Sequence, residues 1–316
     1  MKLADARKLM EKHGIPGTDA RDLPTSTKRF PDGAWYRMEI SGIERLNVLE
    51  AAIDEMNKRK MPLHRMISLV MGATYFTKQD WKDFAQMAAD AKLEVIVTPG
   101  PRTPWYTGRQ VATPEGALSG LRFRGSDSLS HVIDEILTLI DIGFRGFLAI
   151  DEGELWLLNE MRKAGEIPED VTFKVSVYAG HGNAAGGKVL EMLGAGTFNP
   201  VADLTLDQYA TIRQVCDLPL DMHILITESF GGFTRFYEAP ELVRTLAPVY
   251  FKVEPGPACA ATGAALYKPW TSPDQLAWWA REKVKFAQII HELVQENFPE
   301  GTLSEVGAEG LAIPKP

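Results

Sequence analysis

Acidic, imidazole and amine side chains recur near the ends of short β-rich runs, which is where proton-transfer and metal sites are built. WYRMEI carries Arg37 and Glu39, LDMHILI carries Asp221 and His223, and VYFKVE carries Lys252 and Glu254, each pair two residues apart. Side chains alternate along a strand, so each pair shares one face, while Met38, Met222, Ile224, Phe251 and Val253 occupy the other. GFLAID leads into Asp151, Glu152 and Glu154, TFKVSVY carries Lys174, Ser176 and Tyr178 with His181 and Asn183 just beyond, and GTFNP contains Asn199. Carboxylates and imidazoles converging on one mouth act as acid–base pairs or hold a divalent cation. The candidate catalytic groups are therefore Glu39, Asp151, His181, His223, Glu228, Lys252 and Glu254. Glu39, Asp151, His223 and Glu254 form the set that would hold a divalent metal, and Arg102, Trp105, Tyr178, Asn183 and Asn199 are the expected substrate contacts.

Each of these groups has a structural alternative. Buried charges cost several kcal/mol apiece, on the order of a whole domain's margin for a few of them, unless they are paired. Arg37, Lys174 and Asp221 fall early in their runs and are read as structural ion pairs. Lys252 could attack a carbonyl as a desolvated amine, but Glu254 on the same face makes an ion pair the preferred reading. Ser68 and Thr98 are expected to face inward with the polar set, and His13 and His291 to face solvent on helices. No HExxH occurs, and the two cysteines, Cys216 and Cys259, cannot supply a cysteine-ligated iron–sulfur cluster within one chain.

The elements that must position these groups alternate strictly. The runs WYRMEI, HRMISLV, LEVIVT, GFLAID, TFKVSVY, GTFNP, LDMHILI and VYFKVE are each followed by a helix-period stretch, the last over residues 272–297. Helix starts carry capping signatures: Thr77 with Asp80, Thr205 with Gln208, and Ser272 with Pro273 and Gln275. Eight βα units imply a parallel sheet that closes, a (β/α)8 TIM-type barrel, and place functional groups at the strand C-termini. An open dinucleotide-binding sheet would want G-x-G-x-x-G after an early strand, and none stands there. The Pro- and Asp-rich stretch up to residue 34 sets the division: residues 1–34 as N-terminal helix and connector, 35–316 as the barrel domain. Long connections follow the third, seventh and eighth strands, and Pro99–Ser126, with Trp105 and Tyr106, reads as a lid.

The formal net charge of −8 and the lack of a Lys/Arg-rich tract argue against nucleic acid as a partner. No run of about 18 apolar residues suggests a membrane span, and cysteine usage fits a reducing compartment, so a cytoplasmic protein with a small-molecule substrate is expected, as a monomer or homo-oligomer.

Several passages resemble the peptidase U32-like barrel superfamily, among them small bacterial members. They are residues 177–228 (VYAGHGNAAGGKVLEMLGAGTFNPVADLTLDQYATIRQVCDLPLDMHILITE) and 230–252 (FGGFTRFYEAPELVRTLAPVYFK), with Gly194–Asn199, Asp203–Gln208 and Pro219–Ile224 the most distinctive parts. The resemblance implies a barrel hydrolase. The wider superfamily places an acidic residue and a G-x-C segment after the seventh strand, whereas this chain has Glu228 with SFGGF and no cysteine there. A U32-like hydrolase acting on a small polar substrate is the leading expectation. A metal-dependent lyase, aldolase or isomerase and a non-catalytic ligand-binding or assembly barrel are the alternatives.

Overall fold

The β-branched and aromatic residues that alternate with polar ones become strands of a closed barrel in the computed structural model, which describes residues 3–68, 76–100, 122–226, 231–254 and 272–316. The strands are β1 (Tyr36–Ser41), β2 (Arg65–Ser68), β3 (Glu94–Val97), β4 (Gly146–Ala149), β5 (Thr172–Val175), β6 (Thr197–Phe198), β7 (Leu220–Leu225) and β8 (Val249–Val253). All run parallel in chain order, and β8 returns to β1 with Glu39 beside Lys252. The fold is the expected (β/α)8 barrel.

Among the described residues, α1 (Leu3–Lys12) precedes the barrel. The strands alternate with α2 (Leu46–Arg59), α3 (Lys78–Asp90), α4 (Gly125–Ile142), α5 (Glu152–Lys163), α6 (Ala184–Met192), α7 (Leu206–Val215), α8 (Ala239–Leu246) and α9 (Pro273–Asn297). The capping boxes form as expected. Asp80 N–H donates to Thr77 Oγ1 at 3.2 Å, Thr77 N–H donates to the Asp80 carboxylate at 2.9 Å, and Thr205 N–H donates to Gln208 Oε1 at 2.9 Å. Ser272 accepts no cap bond, and α9 relies on Pro273 in its first turn.

The outward parity, including Met38, Val95, Phe147, Phe173, Met222 and Phe251, is buried against the helices and forms the main core. The inward parity is mostly charged, except that Ile67, Ile96 and Leu148 on β2, β3 and β4 make a small separate apolar cluster. Two stretches of chain close the N-terminal end of the barrel. From one, Ser26 N–H donates to Arg244 O at 2.8 Å, and the Phe30 ring meets Tyr250 edge-on at 5.1 Å. From the other, Leu303 bridges to Tyr36, and Ser304 Oγ accepts from Arg37 Nε at 2.9 Å. His64 Nε2 lies 2.8 Å from Ser304 O, and Arg37 Nη2 donates to Glu309 O at 2.6 Å. Farther along, Lys315 N–H donates to Gly143 O at 2.8 Å. A side chain at Gly143, whose φ is +123°, would meet that Lys315 carbonyl at 2.6 Å.

Four expectations are corrected. In β2, Arg65 and Ile67 point inward, so Ser68 faces outward and its hydroxyl donates to Ile43 O at 2.9 Å. This strand is polar at both parities, so polarity does not select its face. In β4, Leu148 holds the inward parity, and Asp151 lies beyond the strand as the N-cap of α5. The fifth strand stops at Val175 because Ser176 Oγ accepts from Tyr178 N at 3.2 Å and starts a 3₁₀ turn, which takes Tyr178 off the strand. His291 is partly buried rather than solvent-facing, with Nδ1 2.6 Å from Tyr36 Oη.

Candidate active site

Inside the barrel, three cations stand among four carboxylates, knitting six strands together. Arg65 reaches Glu39 at 3.1 Å, Glu94 at 3.0 Å and Asp221 at 2.7 Å, and its guanidinium lies 3.6 Å over the Tyr250 ring. Lys174 bridges Glu39 at 2.9 Å and Asp221 at 2.7 Å, and Asp221 also accepts from Thr197 Oγ1 at 2.7 Å. Burial opposes the charge on Arg65, but Glu94, Tyr250, Asp221 and Glu39 outweigh it and carry its pKa well above the usual value. Burial would likewise raise the Asp221 carboxyl, yet Lys174 and Arg65 hold it below the ordinary range. Lys174 and Asp221 are thus paired, as read from their early strand positions, and Arg37 is bound to the closing segments.

Above this network, toward the strand C-termini, lies a shorter chain of contacts. Lys252 Nζ is 3.1 Å from Glu254 Oε2 and 3.9 Å from Glu39 Oε1, so the anticipated Lys252–Glu254 pair is present. His223 Nε2 is 2.7 Å from Glu254 Oε2, and His223 Nδ1 is 3.2 Å from Asn199 Nδ2. The amide can only donate, so this network assigns His223 Nδ1 as acceptor and the ring proton to Nε2, which donates to Glu254. Burial and the Lys252 charge lower the His223 pKa and keep the ring neutral. Burial disfavours a charged Glu254, but Lys252 and His223 prevail and hold its carboxyl far below the usual range. Burial also opposes the Lys252 charge, while Glu254 and Glu39 raise its pKa and keep it an ammonium.

A second group sits at the ends of β4 and β5. Asp151 Oδ1 accepts from Gly153 N at 2.8 Å and Glu154 N at 3.4 Å, satisfying the first turn of α5. Arg122 grips Glu152 through both terminal nitrogens, lies 3.8 Å from Asp151 and donates to Ala179 O at 3.0 Å. His181 Nε2 is 2.6 Å from Glu152 Oε1. Burial alone would raise the Glu152 carboxyl, but Arg122 and His181 bring its pKa down to about 2. Asn183 Oδ1 accepts from Gly186 N at 2.9 Å and caps α6.

The structure thus brings Glu39, Asn199, His223, Lys252 and Glu254 together inside the barrel, and sets Asp151 and His181 in the separate group at its rim. Tyr178 and Asn183 flank His181 in the chain. Glu228, Arg102, Trp105 and most of the connection read as a lid lie outside the described residues. Among the described residues no three His, Cys, Asp or Glu side chains gather as a metal-ligand set, and Glu39 and Glu254 are turned toward cations instead. Sequence reasoning missed Arg65 and Glu94, which sit at the very start of their strands. A search for inward cations to match Glu39 and Asp221 would have pointed to Arg65. It also missed Lys283 on α9, fully buried, which donates to Ser41 O at 2.6 Å. Burial lowers the Lys283 pKa to about 7 against the pull of Glu254 and Glu44.

No protein-family model matches the chain, and no curated protein matches it. Solved structures similar to it include the YdjI aldolase from Escherichia coli K12, at 13% identity and a TM-score of 0.46 over 85% of this chain and 94% of that one. The U32 peptidase Mk0906 is similar at 16% identity and a TM-score of 0.45, over 73% of this chain and 98% of that one. A D-psicose 3-epimerase from Clostridium cellulolyticum H10 is similar at 12% identity and a TM-score of 0.43, over 80% and 99% of the two chains.

Proposed function

We propose that this protein is an enzyme that moves a proton on a small polar substrate at the C-terminal end of its barrel, as a hydrolase of the U32-like kind. The observation that carries the reading is the chain Asn199–His223–Glu254–Lys252, in which an ionised carboxylate touches both a neutral imidazole and an ammonium. Lys252 is held charged, which suits it to stabilise an oxyanion rather than to attack a carbonyl as an amine. A substrate oxygen that draws Lys252 away relieves the charge that depresses Glu254, and Glu254 becomes a stronger base toward a bound water. His223, fixed by Asn199, orients the carboxylate.

A lyase, aldolase or isomerase is the second reading, favoured by one feature. Both ring nitrogens of His223 are occupied by Asn199 and Glu254, so this histidine activates no serine, threonine or cysteine nucleophile. A carboxylate beside an ammonium also serves to remove a proton next to a carbonyl and to stabilise the enolate.

Glu254→Gln keeps the shape and removes the charge. With small amides, peptides and hydroxy-carbonyl compounds as substrates, turnover is expected to fall by about 100-fold or more with modest loss of melting temperature. A purely structural Glu254 would instead leave a buried ammonium unpaired at a cost of about 3–5 kcal/mol. Severe unfolding with unchanged activity per folded molecule overturns the catalytic role. Incorporation of oxygen from labelled water marks hydrolysis, and exchange of substrate carbon-bound hydrogen with heavy water marks the second reading.

A further inference from the structure

The upper interior of the barrel contains buried polar atoms that lack a hydrogen-bond partner among the described residues. Among the described residues, Glu39 Oε1, Ser41 Oγ, Thr98 Oγ1 and Asn199 Oδ1 have no hydrogen-bond partner. Their side chains are at most 1% exposed. All four carry the inward parity: Ser41 follows Glu39 by two on β1, Thr98 follows Ile96 by two at the end of β3, and Asn199 follows Thr197 by two at the end of β6. An unsatisfied buried polar atom costs free energy, and several of one parity near the strand C-termini are explained when a polar partner meets them there.

The atoms define what the occupant carries. Glu39 Oε1 and Asn199 Oδ1 are acceptors, and Asn199 Nδ2 is already engaged, donating to Asp221 O at 2.7 Å and lying against His223. Ser41 and Thr98 supply hydroxyls that both give and accept. Lys252, 5% exposed, adds a cation suited to an electronegative oxygen. In a closed eight-stranded barrel each strand stands across from the fourth one on, so Leu148 on β4 faces β8, Ile96 on β3 faces β7 and Ile67 on β2 faces β6. Polar groups from β1, β3, β6 and β8 therefore share the upper interior with the aliphatic side chains of Ile67, Ile96 and Leu148. A molecule with several adjacent hydroxyls and C–H groups between them matches both kinds of neighbour.

We infer that the barrel mouth binds a small polyhydroxylated compound, a polyol or sugar-like molecule, through Ser41, Thr98, Asn199 and Glu39. This names the substrate class of the site proposed above and rests on that reading for its location, not for its chemistry.

The test is calorimetric titration of the full-length protein with glycerol, erythritol, xylitol, sorbitol and gluconate, beside the deoxygenated control 1,2-hexanediol. At least one polyhydroxylated probe is expected to bind more tightly than the control. Ser41→Ala and Thr98→Val are each expected to weaken that probe about tenfold. They should leave the melting temperature of the ligand-free protein unchanged or raised, because each removes an unsatisfied buried group. If no polyol binds better than the control, or if both variants bind it as the parent does, the inference is overturned and water alone fills the space. Polyol binding retained by Glu254→Gln, with no turnover of any substrate by the parent protein, supports this inference and sinks the catalytic reading. Glu254-dependent turnover of a substrate without hydroxyls, in a protein that binds no polyol, does the reverse.

Discussion

A single buried ring, His64, adds its own part to how stability falls with acid. It is fully buried, its Nδ1 accepts from Met38 N at 3.0 Å, and its Nε2 faces Ser304 O, so it is held neutral. Burial, opposed by the Ser304 contact, lowers its pKa from 6.5 to about 4. As pH falls below 6.5 the unfolded chain binds a proton that the folded chain refuses until about 4, so the His64 contribution is full above that window and declines within it. The His64 share of the loss is about 3 kcal/mol, at roughly 1.4 kcal/mol per unit. Urea unfolding at pH 7, 5.5 and 4.5 should show the decline, and His64→Gln should flatten it relative to the parent. A parent slope that survives the substitution would assign it to other groups. His64 was not singled out in the sequence, because a histidine ahead of a strand looks the same whether it faces solvent or a closing segment some 240 residues away.

At the scale of elements, the caps sort into those that bond and those that merely match a pattern. Thr77 takes part in a reciprocal box with Asp80, whereas Ser272 accepts nothing. Thr77→Ala is therefore expected to cost about 1 kcal/mol and Ser272→Ala a few tenths at most, measured by thermal unfolding. Equal effects would mean that the box contributes no more than the bare threonine pattern. Element order, strand count and the helix boundaries were legible because they are local: the period of apolar residues and the capping residues lie within one or two turns. The charged interior was half legible. Where one parity is plainly polar, as in β1, β7 and β8, Glu39, His223, Lys252 and Glu254 could be assigned inward correctly. Where both parities are polar, as in β2, the face depends on partners on other strands, and Arg65 was overlooked while Ser68 was turned the wrong way. Asp151 and Tyr178 were misplaced for a related reason. A strand end is set by competition between ladder bonds and local side-chain bonds, and Ser176 and Asp151 both favour the local bond.

At the scale of the molecule, the barrel is closed at one end by chain on either side of it. The segment from Leu303 to Glu309 satisfies Arg37 and His64, both buried. Removing residues 303–316 takes away the Ser304 and Glu309 acceptors of Arg37 and the Ser304 carbonyl beside His64 Nε2, buried bonds worth about 1–3 kcal/mol each when left unmade. Loss of a cooperative melt is the expected outcome, read by near-ultraviolet circular dichroism. Removing only residues 315–316 should cost about 1 kcal/mol, since Lys315 contributes a backbone bond to Gly143 and an exposed ion pair. Equal effects from the two truncations would show that the floor does not depend on Ser304. At the opposite end, the contrast between the aliphatic Ile67, Ile96 and Leu148 and the polar groups that share the interior with them bears on handedness. A planar carbonyl lying among such unlike neighbours presents only one of its faces to Lys252 and Glu254. Chemistry that creates a new stereocentre there would yield a single enantiomer, selected by which strands carry carbon and which carry charge.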